Sequence, residues 1–122
     1  MNAQKLFRFE DLTIWQLAIE VGDALFDIAD QLEAKRLYRF AEQLRGAGMS
    51  ISNNIAEGSG ASSPNEFRQF LNYARRSCYE CANILVVVQR RSQIDEDVKQ
   101  RLFVELANLS RKIYNFQQTI RS

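Results

Sequence analysis

Residues 43–66, QLRGAGMSISNNIAEGSGASSPNE, decide the fold. Leu44, Ala47, Ile51 and Ile55 recur at spacings of three and four, which places them on one face of a helix. Gly58 stands where a helix C-terminus favours a residue with positive φ, and Gly60, Ala61 and Ser62 continue the break. Ser63-Pro64-Asn65-Glu66 then reads as a capping box. The Ser63 hydroxyl accepts from the Glu66 amide, the Glu66 side chain reaches back to the Ser63 amide, and Pro64 has no amide needing a partner. The stretch is the turn between two antiparallel helices.

Outward from this turn the chain is helical in both directions. The 122 residues suit one domain, large enough to bury a core without metals or disulfides, with a single proline and few glycines. The periodicity predicts an all-α, antiparallel up-down-up-down four-helix bundle, with helices at about 11–32, 36–58, 64–91 and 95–120. In the third helix, Phe67, Leu71, Ala74, Cys78, Cys81, Leu85 and Val88 keep an alternating four–three spacing. In the fourth, Leu102, Leu106, Leu109, Ile113, Phe116 and Ile120 face inward, and Asp95, Glu96 and Asp97 sit at its positive end.

The first helix is apolar over an unusually wide arc. Trp15, Ala18, Gly22, Leu25, Ala29 and Leu32 form one stripe, and Ile14, Leu17, Val21 and Ile28 a second beside it. One stripe is enough for a bundle core, so the second predicts a subunit interface. The alternative is that residues 1–9, read as an extended arm anchored by Phe7 and Phe9, fold over it. The first turn has no glycine, proline, asparagine or serine and is placed at 33–36 on helix length alone. Gly46 and Gly48, inside the second helix, predict a close helix crossing there.

Charge is near neutral overall (+1) but unevenly spread. Residues 10–33 carry seven acids and no base, whereas residues 34–91 carry nine bases against four acids. The two regions are expected to meet within one subunit or across a head-to-tail contact between subunits. A nucleic-acid protein usually carries a stronger positive charge. Apolar runs are short and interrupted by charge, so the expectation is a cytoplasmic protein without a membrane span.

Little in the chain points to catalysis. There is no histidine, no nucleophile elbow and no phosphate loop, and Cys78 and Cys81 lack the further ligands of a zinc site. No cofactor or metal is expected. Levelling the second and third helices about the 58–64 turn puts Glu57 and Glu80 roughly 20 Å apart, too far to share a proton. The same levelling pairs Arg45 with Glu80 beside Ser77, and groups Asn54, Glu57 and Arg68 near the turn. Glu57 opposes the helix dipole and so needs a compensating partner. Arg75-Arg76 and Arg90-Arg91, with Tyr73 and Tyr79 nearby, are the candidate nucleic-acid contacts.

Three segments carry a family resemblance: FEDLTIWQLA at 9–18, QLRGAGMSISNNIAEGSG at 43–60 and EFRQFLNYARRSCYE at 66–80. They resemble the four-helix-bundle family named after proteins encoded in intervening sequences of 23S ribosomal RNA genes, and also the accessory variability protein of diversity-generating retroelements. The resemblance implies a ring-like, pentameric homo-oligomer. In the retroelement branch it implies binding to a reverse transcriptase and to nucleic acid. It places weight on Gln43, Arg45, Asn54, Glu57, Gly58 and Glu80. Where the family usually has a second arginine and an alanine after Arg45, this chain has Gly46 and, two positions on, Gly48. Ser52 stands where the family often has proline, which predicts a straighter second helix. The resulting expectation is a non-enzymatic oligomeric scaffold or binding protein. The alternative is a nucleic-acid-binding accessory protein.

Overall fold

The computed structural model describes residues 4–121. A short 3₁₀ turn at Arg8–Asp11 precedes four helices: α1 (Thr13–Ala34), α2 (Tyr38–Ser59), α3 (Pro64–Arg90) and α4 (Glu96–Thr119). Short connections force each helix to return beside its predecessor, which gives the antiparallel up-down-up-down bundle. α1 and α3 each pack on α2 and α4 and not on one another, so they lie on a diagonal. The core is one apolar cluster in which Leu25, Leu32, Leu44, Ile51, Leu71, Leu85, Leu106 and Ile113 are fully buried.

Local chemistry sets the three turns. Between α1 and α2 the break falls at Lys35–Leu37, and Arg36 takes a positive φ of 65° without being glycine. The Arg36 amide donates to the Glu33 carbonyl (2.8 Å) and the Leu37 amide to the Leu32 carbonyl (2.9 Å). This is a Schellman closure, and an apolar Leu37 packing back on the core completes it. The end of α3 repeats the device with Ser92 at φ 59°. At the start of α3, Ser63 accepts from the Glu66 amide (3.2 Å). The Glu66 carboxylate does not complete the expected box, because the Ser62 hydroxyl donates to it at 2.7 Å.

Four expectations are corrected. Gly58 has no positive φ; α2 runs on to Ser59, and Gly58 is needed for space instead. A Cβ there would lie 2.8 Å from Phe70 Cβ and 2.9 Å from Phe67 Cδ1. Of the two central glycines only Gly48 marks a crossing, with Leu25 Cδ1 3.3 Å from its Cβ position, whereas Gly46 faces open space. Ile14, Val21 and Ile28 are buried within the single chain, and Leu17 is half-buried against the same core. The wide apolar arc of α1 is used up by two neighbouring helices, so these residues are not a free subunit interface. Finally, the segment before α1 is not extended throughout: Phe7 is extended, but Arg8–Asp11 form a 3₁₀ turn. Phe9 meets Trp15 with tilted rings whose centres are 4.9 Å apart, while Phe7 is 64% exposed. Residues 1–3 lie outside the described residues. No helix among the described residues is long and apolar enough to cross a membrane.

Candidate functional site

Two concavities flank α3. The first is a polar notch between α2 and α3, about 460 Å³, lined by Ser50, Asn54, Tyr73, Arg76, Ser77 and Glu80. Ser77 is buried, and its hydroxyl lies 2.8 Å from that of Ser50 and 3.1 Å from the Tyr73 carbonyl. Asn54 donates to the Ser50 hydroxyl (2.9 Å) and carbonyl (2.8 Å). The notch therefore unites Asn54, Ser77 and Glu80 from the sequence-based set, together with Arg76.

Arg45 is not part of it. The expected Arg45–Glu80 pair is replaced by a fork to α1, with Nη2 donating to Asp30 (2.6 Å) and Nη1 to Glu33 (2.8 Å). These two bonds, the one to Asp30 first, raise the Arg45 pKa above its ordinary value. Two causes defeat the levelling argument. Arg45 lies five residues from Ser50, roughly 140° around the helix, and so faces α1 rather than α3. The connection also runs on past the end of α2, with Ser63 extended, before α3 turns back. As a result Ser50 is level with Ser77, and Glu80 with about residue 47.

The turn cluster also disperses. No hydrogen bond or ion pair among the described residues reaches the carboxylate of Glu57, which is exposed. Arg68 donates to the Ile120 carbonyl (2.6 Å) and to Asn65, tying α3 to the end of α4. Gln43 is exposed on the outside of α2. Glu57 and Glu80 remain about 15 Å apart along the bundle, so no paired-carboxylate chemistry is assembled.

The second concavity is an apolar groove between α3 and α4, about 420 Å³, and sequence reasoning missed it. Its floor is Cys78, Ala82, Phe103, Leu106 and Ala107, and Tyr79 and Tyr114 form its walls. The Arg75 guanidinium stacks over the Tyr114 ring at 4.8 Å, and its buried Nε has no acceptor among the described residues. Arg111 stands at the rim and donates to Asn108 (2.7 Å). The available signal was a second α4 stripe, Phe103, Ala107 and Tyr114, one residue out of phase with Leu102, Leu106 and Ile113. The adjacent Arg75 and Arg76 thus point into opposite concavities and form no common basic strip. Arg90 and Arg91 are exposed at the far end of α3.

The family model described as 23S rRNA-intervening sequence protein matches residues 10–115. The chain belongs to this family. Among solved structures, the chain is similar to a protein of unknown function from the S23 ribosomal protein family of Bacteroides thetaiotaomicron VPI-5482. The TM-score is 0.82 at 18% identity, over 86% of this chain and 98% of that one. At that identity the likeness establishes the fold alone. No curated protein matches the chain.

The remaining reactive groups of this family member are its thiols. Cys78 and Cys81 are free and buried, and desolvation pushes both pKa values up to about 12. A thiol held in its neutral form is a poor nucleophile and a poor metal ligand. Among the described residues no group of three or more His, Cys, Asp or Glu is placed to hold a metal ion.

Proposed function

We propose that this member of the 23S rRNA-intervening sequence family is a non-enzymatic, cytoplasmic helical scaffold that works as a ring-like homo-oligomer, a pentamer by family resemblance. The observation that carries the reading is the exposed apolar face of α3 and α4. Tyr79 is 67% and Tyr114 44% exposed at a groove that is mostly carbon, and Val104 on α4 is 60% exposed. A contiguous apolar face of this kind on a small protein is characteristic of an interaction surface. The polar notch, with its hydroxyl–amide cluster and an exposed Arg76 and Glu80, suits a partner's backbone or polar side chains rather than a reaction.

Light scattering at low and high salt tests the assembly. A pentamer has a mass of about 70 kDa against 14.1 kDa for the chain. A monomer at both salts, at tens of micromolar chain, refutes the scaffold.

A second reading, a nucleic-acid-binding accessory protein, rests on Arg90 and Arg91, exposed and without an acid partner among the described residues. It requires binding to RNA or single-stranded DNA that weakens steeply with salt as counterions are released. A low-salt titration of the wild type with no binding removes it.

A further inference from the structure

The acids of α1 are only partly neutralised within the chain. Asp30 and Glu33 are taken by Arg45, but Glu20, Asp23 and Asp27 are exposed and, among the described residues, have no ion-pair partner. This outer face is not purely polar. Ile19 is 38% exposed, and Phe26, seven residues on, lies along the same flank and is half-buried. The face is thus an apolar ridge edged by acids that are not ion-paired among the described residues, although Asp27 shares a concavity with Lys35 and Arg101.

The α3–α4 groove is its chemical complement. It is an apolar trough walled by Tyr79 and Tyr114, with Arg111 at the rim. Arg75 lines the same trough, its Nε buried and without an acceptor among the described residues. Its guanidinium stacks on Tyr114, so the trough carries positive charge at Arg75 as well as at Arg111. Carboxylates make strong, charge-assisted hydrogen bonds with a guanidinium. The two patches cannot meet within one copy, because α1 and α3 are diagonal and the outer face of α1 points away from the bundle.

We infer that the acidic outer face of α1, centred on Ile19 and Phe26 and flanked by Glu20, Asp23 and Asp27, docks into the α3–α4 groove of a second copy of this chain. The contact is heterologous: each copy offers a different patch at each end, so the arrangement continues until the rotation closes a ring. The inference rests on the oligomeric reading above and adds the surfaces that make the contact. The Tyr–Arg walls supply the apolar and cation–π anchors of the interface, and the α1 carboxylates set its direction.

Two variants test it, each spoiling one patch on exposed positions. Ala107→Arg blocks the groove and leaves α1 intact. Glu20→Lys/Asp23→Lys/Asp27→Lys reverses the α1 face and leaves the groove intact. Far-UV circular dichroism checks folding, and Arg111→Glu replaces Ala107→Arg if helical content falls. Each variant alone is expected to be a monomer. Mixed one to one, they are expected to form a dimer of about 28 kDa and nothing larger, each supplying one good patch to a 14.1 kDa partner.

The outcomes separate the two ideas. A monomeric wild type overturns both. A wild-type oligomer whose mass neither variant changes overturns the inference and leaves the scaffold reading standing. Monomeric variants that do not associate on mixing also overturn the inference, because the two patches are then not each other's partners.

Discussion

Replacing Gly58 by alanine should destabilise the bundle, against the general rule that alanine is the better helix residue. The added Cβ would sit 2.8 Å from Phe70 Cβ and 2.9 Å from Phe67 Cδ1. Ordinary carbon contacts need about 3.5–4.0 Å, so α2 and α3 must part by several tenths of an ångström. Phe70 Cβ is anchored to the α3 backbone and cannot swing aside. Overpacking of this kind costs about 1–3 kcal/mol, here toward the upper end because one clash is with an immobile atom. Helix propensity returns about 1 kcal/mol. The net loss is about 1–2 kcal/mol, or roughly 4–8 °C in Tm for a chain of 122 residues. Thermal unfolding at one fixed chain concentration measures it, because assembly makes Tm concentration-dependent. Gly46→Ala is the internal control. With nothing within 4 Å of its Cβ position it should be stabilised by about 0.5–1 kcal/mol. If Gly58→Ala gains stability as Gly46→Ala does, the close α2–α3 approach is wrong.

Arg36→Gly should stabilise the α1–α2 turn by some tenths to about 1 kcal/mol, since glycine tolerates the positive φ that Arg36 must adopt; an unchanged urea midpoint would contradict this. Ser63→Ala removes the hydroxyl that accepts from the Glu66 amide and should cost about 1 kcal/mol by the same assay, whereas no loss would mean the cap is idle. The thiols predict an alkaline effect. Cys78 and Cys81 are raised from 9.0 to about 12, so the neutral form is favoured in the folded state. Their contribution is complete below pH 9.0 and declines as pH rises toward about 12. Urea midpoints at about pH 8 and about pH 10.5 should therefore fall further in the wild type than in Cys78→Ala/Cys81→Ala. Equal falls would refute the shift.

The sequence by itself determined which residues form helices and which faces are apolar, because both follow from short-range rules. Three–four spacing, the Ser63-Pro64 start and the core stripes of α3 and α4 are properties of single segments, and all survive in the structure. Even the unmarked first turn fell within two residues of the break that helix length placed at 33–36, although Arg36 in place of glycine hid its geometry. Only the tertiary structure decided which flank of a helix meets which neighbour. Arg45 reached α1 rather than Glu80 because a five-residue step carried it around the helix and the connection beyond α2 shifted the stagger of α3. The same long-range packing buried Ile14, Val21 and Ile28 inside the chain, turned Arg75 and Arg76 into different concavities and opened the α3–α4 groove. Periodicity sets a helix's apolar width, but only the packed bundle shows which part of it the chain covers itself.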